Sequence, residues 1–195
     1  MTAPAATGRR ERTKAANRAA IIEAARDVFG ERGYEAAGVR DVIRAAGLAA
    51  GTFYNYFPDK PAVFRAVVDA TGAEARRRVR AARTGAEGFA AFVEEGYRAY
   101  FGFIVEDPAT FAFLRRNLAA LRATGADAVL PLGIAELADD LRAVAPAGLD
   151  VDYCAHAMVA VGVELGARLM ERDPPDVAGA TDFATGLFLR GLRAQ

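Results

Sequence analysis

Apolar residues recur at helical spacing through nearly the whole chain, and that periodicity excludes most folds at once. From about Thr13 onward, Ile21, Ile22, Ala25, Val28 and Phe29 fall on one face of a helix. Val39, Val42, Ile43 and Ala46 repeat the pattern over a second, short helix. Gly47 follows where a helix C-terminus needs a left-handed residue. A third short helix is predicted over about residues 50–56; Pro58 and Pro61 then break the chain, and a long helix is predicted from about Pro61 to Ala82. Further amphipathic segments are predicted at roughly 88–106, 109–123, 126–144, 151–172 and 177–193, with Pro, Gly or Asp in every separator. Strand signals are missing: β-branched residues are sparse, and no Asn-Gly or Asp-Gly hairpin turn occurs. The expected fold is all-α. Residues 1–12 are expected as a flexible basic tail, 13–60 as a three-helix unit, 61–84 as a linking helix and 85–195 as a larger helical bundle.

Composition narrows the function classes. With 195 residues, 53% of them hydrophobic, the chain can bury a sizeable core. Net charge is zero but unevenly spread: residues 1–60 hold ten Lys or Arg against seven Asp or Glu. A mildly basic N-terminal third thus precedes a mildly acidic remainder. Cys154 is the sole cysteine, so neither an intrachain disulfide nor a cysteine-based metal site is expected. No apolar run is long enough for a membrane span, and residues 1–8 lack the apolar core of a signal peptide. A reducing, cytoplasmic location is the expectation.

Residues 47–60, GLAAGTFYNYFPDK, crowd Phe53, Tyr54, Tyr56 and Phe57 into five positions. Together with the helix before them they have the form of a helix-turn-helix, whose second helix must pack on one side and meet the DNA major groove on the other. Phe53 and Phe57 are four apart and share the packing face. Tyr54 and Tyr56 lie off it, where a phenol can reach phosphate. Ala49 and Ala50 are small enough to let the helix start approach the groove, with its free N–H groups toward phosphate. Thr52 and Asn55 are short side chains able to reach base edges.

At this length the pattern becomes specific. FGERGYEAAGVRDVIRAAGLAAGTFYNYFPDKPAVF, residues 29–64, resembles the DNA-binding signature of the TetR family (TetR/AcrR-like) of bacterial transcriptional regulators. The matching positions are Phe29, Gly33, Tyr34, the VRDV run at 39–42, Ala46-Gly47-Leu48, Gly51-Thr52-Phe53-Tyr54, Tyr56, Phe57 and Lys60. The resemblance implies that Arg40, Ala49, Ala50, Thr52, Tyr54, Asn55 and Tyr56 face DNA and that Lys60 contacts phosphate. Three positions depart from the family pattern. Val39 stands where a Thr or Ser is usual, Ile43 where a small Ala is usual, and Ala49 where a Ser or Thr caps the recognition helix. The last forfeits about 1 kcal/mol of capping. Arg9, Arg10 and Arg12 read either as a solvated tail or as an arm along the minor groove; EARRRVR, 74–80, reads as a solvated face.

Residues 88–117 hold eight of the eighteen aromatics. Their spacing is that of a core, and the resemblance further implies an apolar effector cavity there. Phe92, Tyr97, Tyr100, Phe101, Phe113, Asn117 and His156 are the candidate lining residues, with Arg98 at the rim. The spacing of "YFxFIxEDPxxFxxLRRN" is similar to that of members that sense fatty acids or acyl-CoA. A lone His without spaced partners makes no metal site, no catalytic set is visible and no cofactor is expected. In the last two segments Gly162, Gly166 and Gly191, with Leu169, Phe183 and Leu187, suggest close helix approach across a two-fold interface. A dimer follows from the mechanism, since one short helix reads too few bases. The expected protein is a homodimeric repressor, not an enzyme, released from a palindromic double-stranded operator by a small apolar effector. The competing readings are a ligand-binding or enzymatic bundle with a vestigial DNA-binding unit, and a DNA-binding protein without a ligand.

Overall fold

In the computed structural model, which describes residues 4–123 and 129–191, every regular element is a helix. The ends of the chain and the first residues of the segment expected at 126–144 lie outside that range. The ten helices are α1 (Pro4–Arg32), α2 (Val39–Ala46), α3 (Ala50–Tyr54), α4 (Lys60–Arg83), α5 (Gly88–Glu106), α6 (Pro108–Arg116), α7 (Leu118–Ala123), α8 (Val129–Leu141), α9 (Val151–Leu169) and α10 (Val177–Gly191). Among the described residues no helix is long and apolar enough to cross a membrane.

Two differences from the expected organisation have clear physical causes. The helix predicted from Thr13 begins at Pro4, so the expected tail is helical from there on. Residues 9–16 are exposed, and no packing demands this helix. Ala, Arg, Lys and Glu are strong helix formers, and an extension of an already nucleated helix costs little. The second difference concerns residues 109–126, expected within the C-terminal bundle. The chain divides into one unit of Met1–Ala70 with Ala109–Ala126, and another of Thr71–Pro108 with Asp127–Gln195.

The reason lies in side chains of the first unit. Ile21, Ala25 and Phe29 of α1, Val42 of α2, Phe53 of α3, Phe57, and Val63, Phe64 and Val67 of α4 are all buried. Phe64 is the hub. Its ring meets Phe29 edge-on at 5.3 Å, Tyr34 at 4.5 Å and Phe113 of α6 at 5.6 Å. Asn117, between α6 and α7, is 1% exposed. Its Nδ2 donates to the carbonyls of Phe113 at 2.7 Å and Phe29 at 3.0 Å, while its Oδ1 accepts from the Tyr34 N–H at 2.6 Å. The amide thus supplies the acceptor for the Tyr34 N–H and adds a second donor to the Phe29 and Phe113 carbonyls, which also accept the Gly33 and Asn117 N–H groups.

In the second unit α5 packs against both α9 and α10, and α8 packs against α9. Phe92, Val93, Tyr97, Phe101, Ile104, Leu141, Ala155, Met158, Leu169, Ala184 and Phe188 form its core. Tyr97 stacks on Phe101 at 5.6 Å, and its hydroxyl donates to the Met158 carbonyl at 3.0 Å, tying α5 to α9. Asp150 caps α9, its Oδ1 accepting from the Asp152 and Tyr153 N–H groups.

Candidate functional site

The α2–α3 turn is built as its sequence suggests. Gly47 has φ 65°, a conformation in which a Cβ would be strained, and its N–H donates to the Arg44 carbonyl at 3.3 Å. At the other end of α2 the Gly38 N–H donates to Asp41 Oδ2 at 3.0 Å. That bond, helped by Arg32 and Arg44, holds the Asp41 carboxyl below its usual value. Its stabilising effect is therefore present above the ordinary carboxylate range and fades as pH falls through it. Ala49 sits at the α3 N-cap with no side-chain bond, consistent with the forfeited capping energy. Helix α3 is shorter than expected: past Tyr54 the chain tightens, Tyr56 N–H donating to the Phe53 carbonyl at 2.9 Å.

The two faces of this segment separate cleanly. Phe53 and Phe57 are buried, and Arg18 of α1 covers the Phe57 ring at 5.4 Å. Arg40, Ala49, Ala50, Tyr54 and Asn55 are exposed, while Thr52 and Tyr56 are half-buried at the edge. Tyr54 is 56% exposed yet steadied edge-on by Phe53 at 5.4 Å. A rigid aromatic with a free phenol is thereby held out of the surface. Lys60 is engaged within its own chain. Its Nζ donates to the Tyr34 and Ala37 carbonyls at 2.8 and 3.1 Å and lies 4.3 Å from the Tyr34 ring centre. It clamps the α1–α2 turn to the start of α4. A Lys in a loop–helix junction carries no sequence mark of such a role, and nothing local to Tyr34 marks it as the other half of the clamp.

The expected effector residues divide. Phe92, Tyr97 and Phe101 lie in the core of the second unit, with Tyr100 beside them. Phe113 and Asn117 do not join them: both belong to the core of the first unit, held there by Phe64 and by the backbone of Phe29 and Tyr34. His156 is exposed, its Nδ1 2.8 Å from the Asp152 carbonyl oxygen one turn back, and it lines no interior. Tyr100 combines two properties. It keeps accessible surface, yet burial pushes its phenol up to about 12, and among the described residues its hydroxyl has no partner. A separate pocket of about 270 Å³ is lined by Arg98, Val177, Ala178, Thr181 and Asp182, and among the described residues no aromatic borders it.

The glycines of α9 are also turned differently from the expectation. Gly162 and Gly166 are buried within their own chain, facing Tyr97, Tyr100 and Ile104. A Cβ on Gly166 would come within 2.8 Å of Ile104 Cδ1. Leu169 is likewise core. The surface that lacks cover is the other side of the pair: Tyr153 (80% exposed) and Val163 (44%) on α9, Phe183 (59%) and Leu187 (47%) on α10. Gly191 is exposed at the end of α10. Gly166→Leu is accordingly expected to lower fold stability by about 1–3 kcal/mol through overpacking against α5, leaving the mass in sedimentation unchanged at folding temperatures. A shift to half the mass without loss of melting temperature would show that Gly166 faces a partner after all.

Residues 21–67 match the family model described as bacterial regulatory proteins, tetR family. Three solved structures share the fold over most of the chain. The fatty acid degradation regulator FadR from Bacillus halodurans is 21% identical with a TM-score of 0.77, over 87% of this chain and 93% of that one. FadR from Bacillus subtilis, solved in complex with stearoyl-CoA, is 20% identical with a TM-score of 0.75, over 86% and 95%. A TetR-like transcriptional regulator from Rhodococcus sp. RHA1 is 19% identical with a TM-score of 0.74, over 92% and 97%. Residues 21–67 thus carry the DNA-binding region of the tetR family of bacterial regulatory proteins, and the chain shares the all-α fold of transcriptional regulators of that kind.

Proposed function

We propose that this regulator is a homodimeric repressor that leaves a palindromic operator when a long-chain acyl effector enters its C-terminal unit. The observation that carries the DNA contact is the exposed row of Arg40, Ala49, Ala50, Tyr54 and Asn55 set opposite the buried Phe53 and Phe57. Thr52 and Tyr56 border that row, and the small Ala49 and Ala50 leave the start of α3 open to a phosphate. A dimer supplies two such rows for two half-sites, and the uncovered apolar residues of α9 and α10 are the surface suited to pairing.

Coupling runs through α4, since this one helix supplies residues to both units. An effector that favours one setting of α4 by a few kcal/mol suffices to empty the operator. The acyl class is supported by the similarity to the two fatty-acid regulators, one of them solved with stearoyl-CoA. It is supported as well by the aromatic side chains gathered on α5, where Tyr100 packs against Phe101 at 5.7 Å and Phe101 stacks on Tyr97.

Footprinting on DNA upstream of the gene and its neighbours tests the reading. Protection is expected over an inverted repeat and is lost on adding acyl-CoA or fatty acid. Release and thermal stabilisation should share one concentration range, because the two ligands must weaken each other equally. Protection that no acyl compound disturbs would remove the effector class. Tyr54→Phe is expected to weaken operator binding about tenfold or more, the worth of a hydrogen bond to a charged group at each half-site, with the melting temperature unchanged. Unfolding of the first unit by that change would show the phenol to be structural.

A further inference from the structure

Arg83, the last residue of α4, differs from the other arginines of that helix. Arg77 and Arg80 are well exposed, whereas the Arg83 side chain is 8% exposed. Its stem crosses α5 at Gly96, where a Cβ would lie 3.2 Å from Arg83 Cδ. Its guanidinium carbon then sits 4.8 Å from the centre of the Phe92 ring. For so buried a cation the pairing is poor. Nη2 reaches Asp140 Oδ2 only at 3.3 Å, longer than the about 2.7–2.9 Å of a well-formed charged bond, and among the described residues the buried Nε has no hydrogen-bond partner. Asp140 is moreover shared, its Oδ1 accepting from Arg80 Nη2 at 3.2 Å. Burial holds the Arg83 guanidinium below its usual value, and Asp140 restores only part of the loss.

The edge of a guanidinium formed by Nε–H and Nη2–H offers two parallel donors, spaced for the two oxygens of a carboxylate or phosphate. In Arg83 that edge is the under-bonded one. We propose that it binds the anionic head group of a long-chain effector, whose apolar part lies along Phe92 and the aromatic side chains of α5. The head group takes the place of Asp140, which keeps Arg80 as its partner. The proposal rests on the acyl-effector reading above and adds to it the residue that recognises charge.

The test compares dodecanoate, dodecanoyl-CoA and methyl dodecanoate on the full-length dimer, by direct binding and by operator release. The wild type is expected to bind a charged ligand about tenfold or more tighter than the neutral ester. Dodecanoate leading would assign the free carboxylate, and the CoA ester leading would assign a phosphate. Arg83→Met should bring the charged ligand down to the affinity of the ester without changing the ester. Asp140→Asn should act in the opposite sense, tightening the charged ligand by a factor of about three or more because a competing carboxylate is gone. A purely structural ion pair predicts instead that both variants lose melting temperature and affinity together. That outcome, or equal binding of acid and ester by the wild type, overturns the head-group site while leaving the effector class intact. If no acyl compound binds the wild type, the effector reading falls and the site falls with it.

Discussion

Replacing Phe183 and Leu187 together with glutamate should convert the dimer to monomer and abolish operator binding while leaving the helical content intact. Both side chains stand about half clear of the α10 surface, one turn apart, and Tyr153 and Val163 extend the same exposed apolar character along α9. A monomer has no reason to leave four large apolar residues on two adjacent helices in water. Burying a large apolar side chain is worth about 1.5–3 kcal/mol, and a two-fold interface counts each residue twice. Losing two residues therefore removes on the order of 6 kcal/mol before the added repulsion of like charges, roughly four decades in the dimer dissociation constant. Sedimentation at micromolar concentration should show half the mass, with the far-ultraviolet dichroism of the wild type. A dimer that survives the double change would place the interface on another surface.

Asn117→Ala should loosen the whole DNA-binding unit, even though residue 117 lies far along the chain from the helix-turn-helix. The Phe29 carbonyl keeps a second donor, the Gly33 N–H at 3.0 Å, and so stays satisfied. Among the described residues the Tyr34 N–H has no such alternative in its hydrogen bonding, and a small void opens at the centre of the packed unit. Together these cost about 3 kcal/mol, a large part of the few kcal/mol that hold a small domain folded. Amide exchange should speed up across α1 to α3 and operator binding should fall, while amides of α5, α9 and α10 keep their protection. Uniform loss of protection in both units would mean that Asn117 supports the whole chain at once.

What can be read from the sequence is local. Gly47 announces its turn because a glycine between two short apolar periods fits a left-handed helix end, where any larger residue would be strained. Phe53 and Phe57 sort to the inside because four residues make about one helical turn. The misplacements share a different origin. Phe113 and Asn117 sit in a run of aromatics that reads as one cluster, yet their partners Phe29, Tyr34 and Phe64 lie as many as 88 positions earlier. Periodicity carries no information about which distant helix a face will meet. The glycines of α9 mislead for a related reason. A stripe of small residues shows that something comes close, not whether the visitor belongs to the same chain; here it is Tyr97, Tyr100 and Ile104 of α5. Residue type alone suggests an interior place for His156, but one carbonyl a turn away is partner enough to leave it at the surface. Lys60 and Arg83 are legible only as charges, since their acceptors are set by loops and helices far from them in sequence.

The allegiance of residues 109–126 to the N-terminal unit has a consequence for anyone who would transplant this DNA reader. The simplest hybrid regulator is made by cutting a chain once and joining the head of one protein to the body of another. Here a single cut anywhere in α4 would sever the head from Phe113 and Asn117, exposing the edge of Phe64 and stranding the Tyr34 N–H. The transferable module is discontinuous in sequence. A chimera that keeps operator specificity must carry α6 and α7 of the donor along with α1 to α3 and α4 as far as Ala70, and must splice the recipient on either side of them.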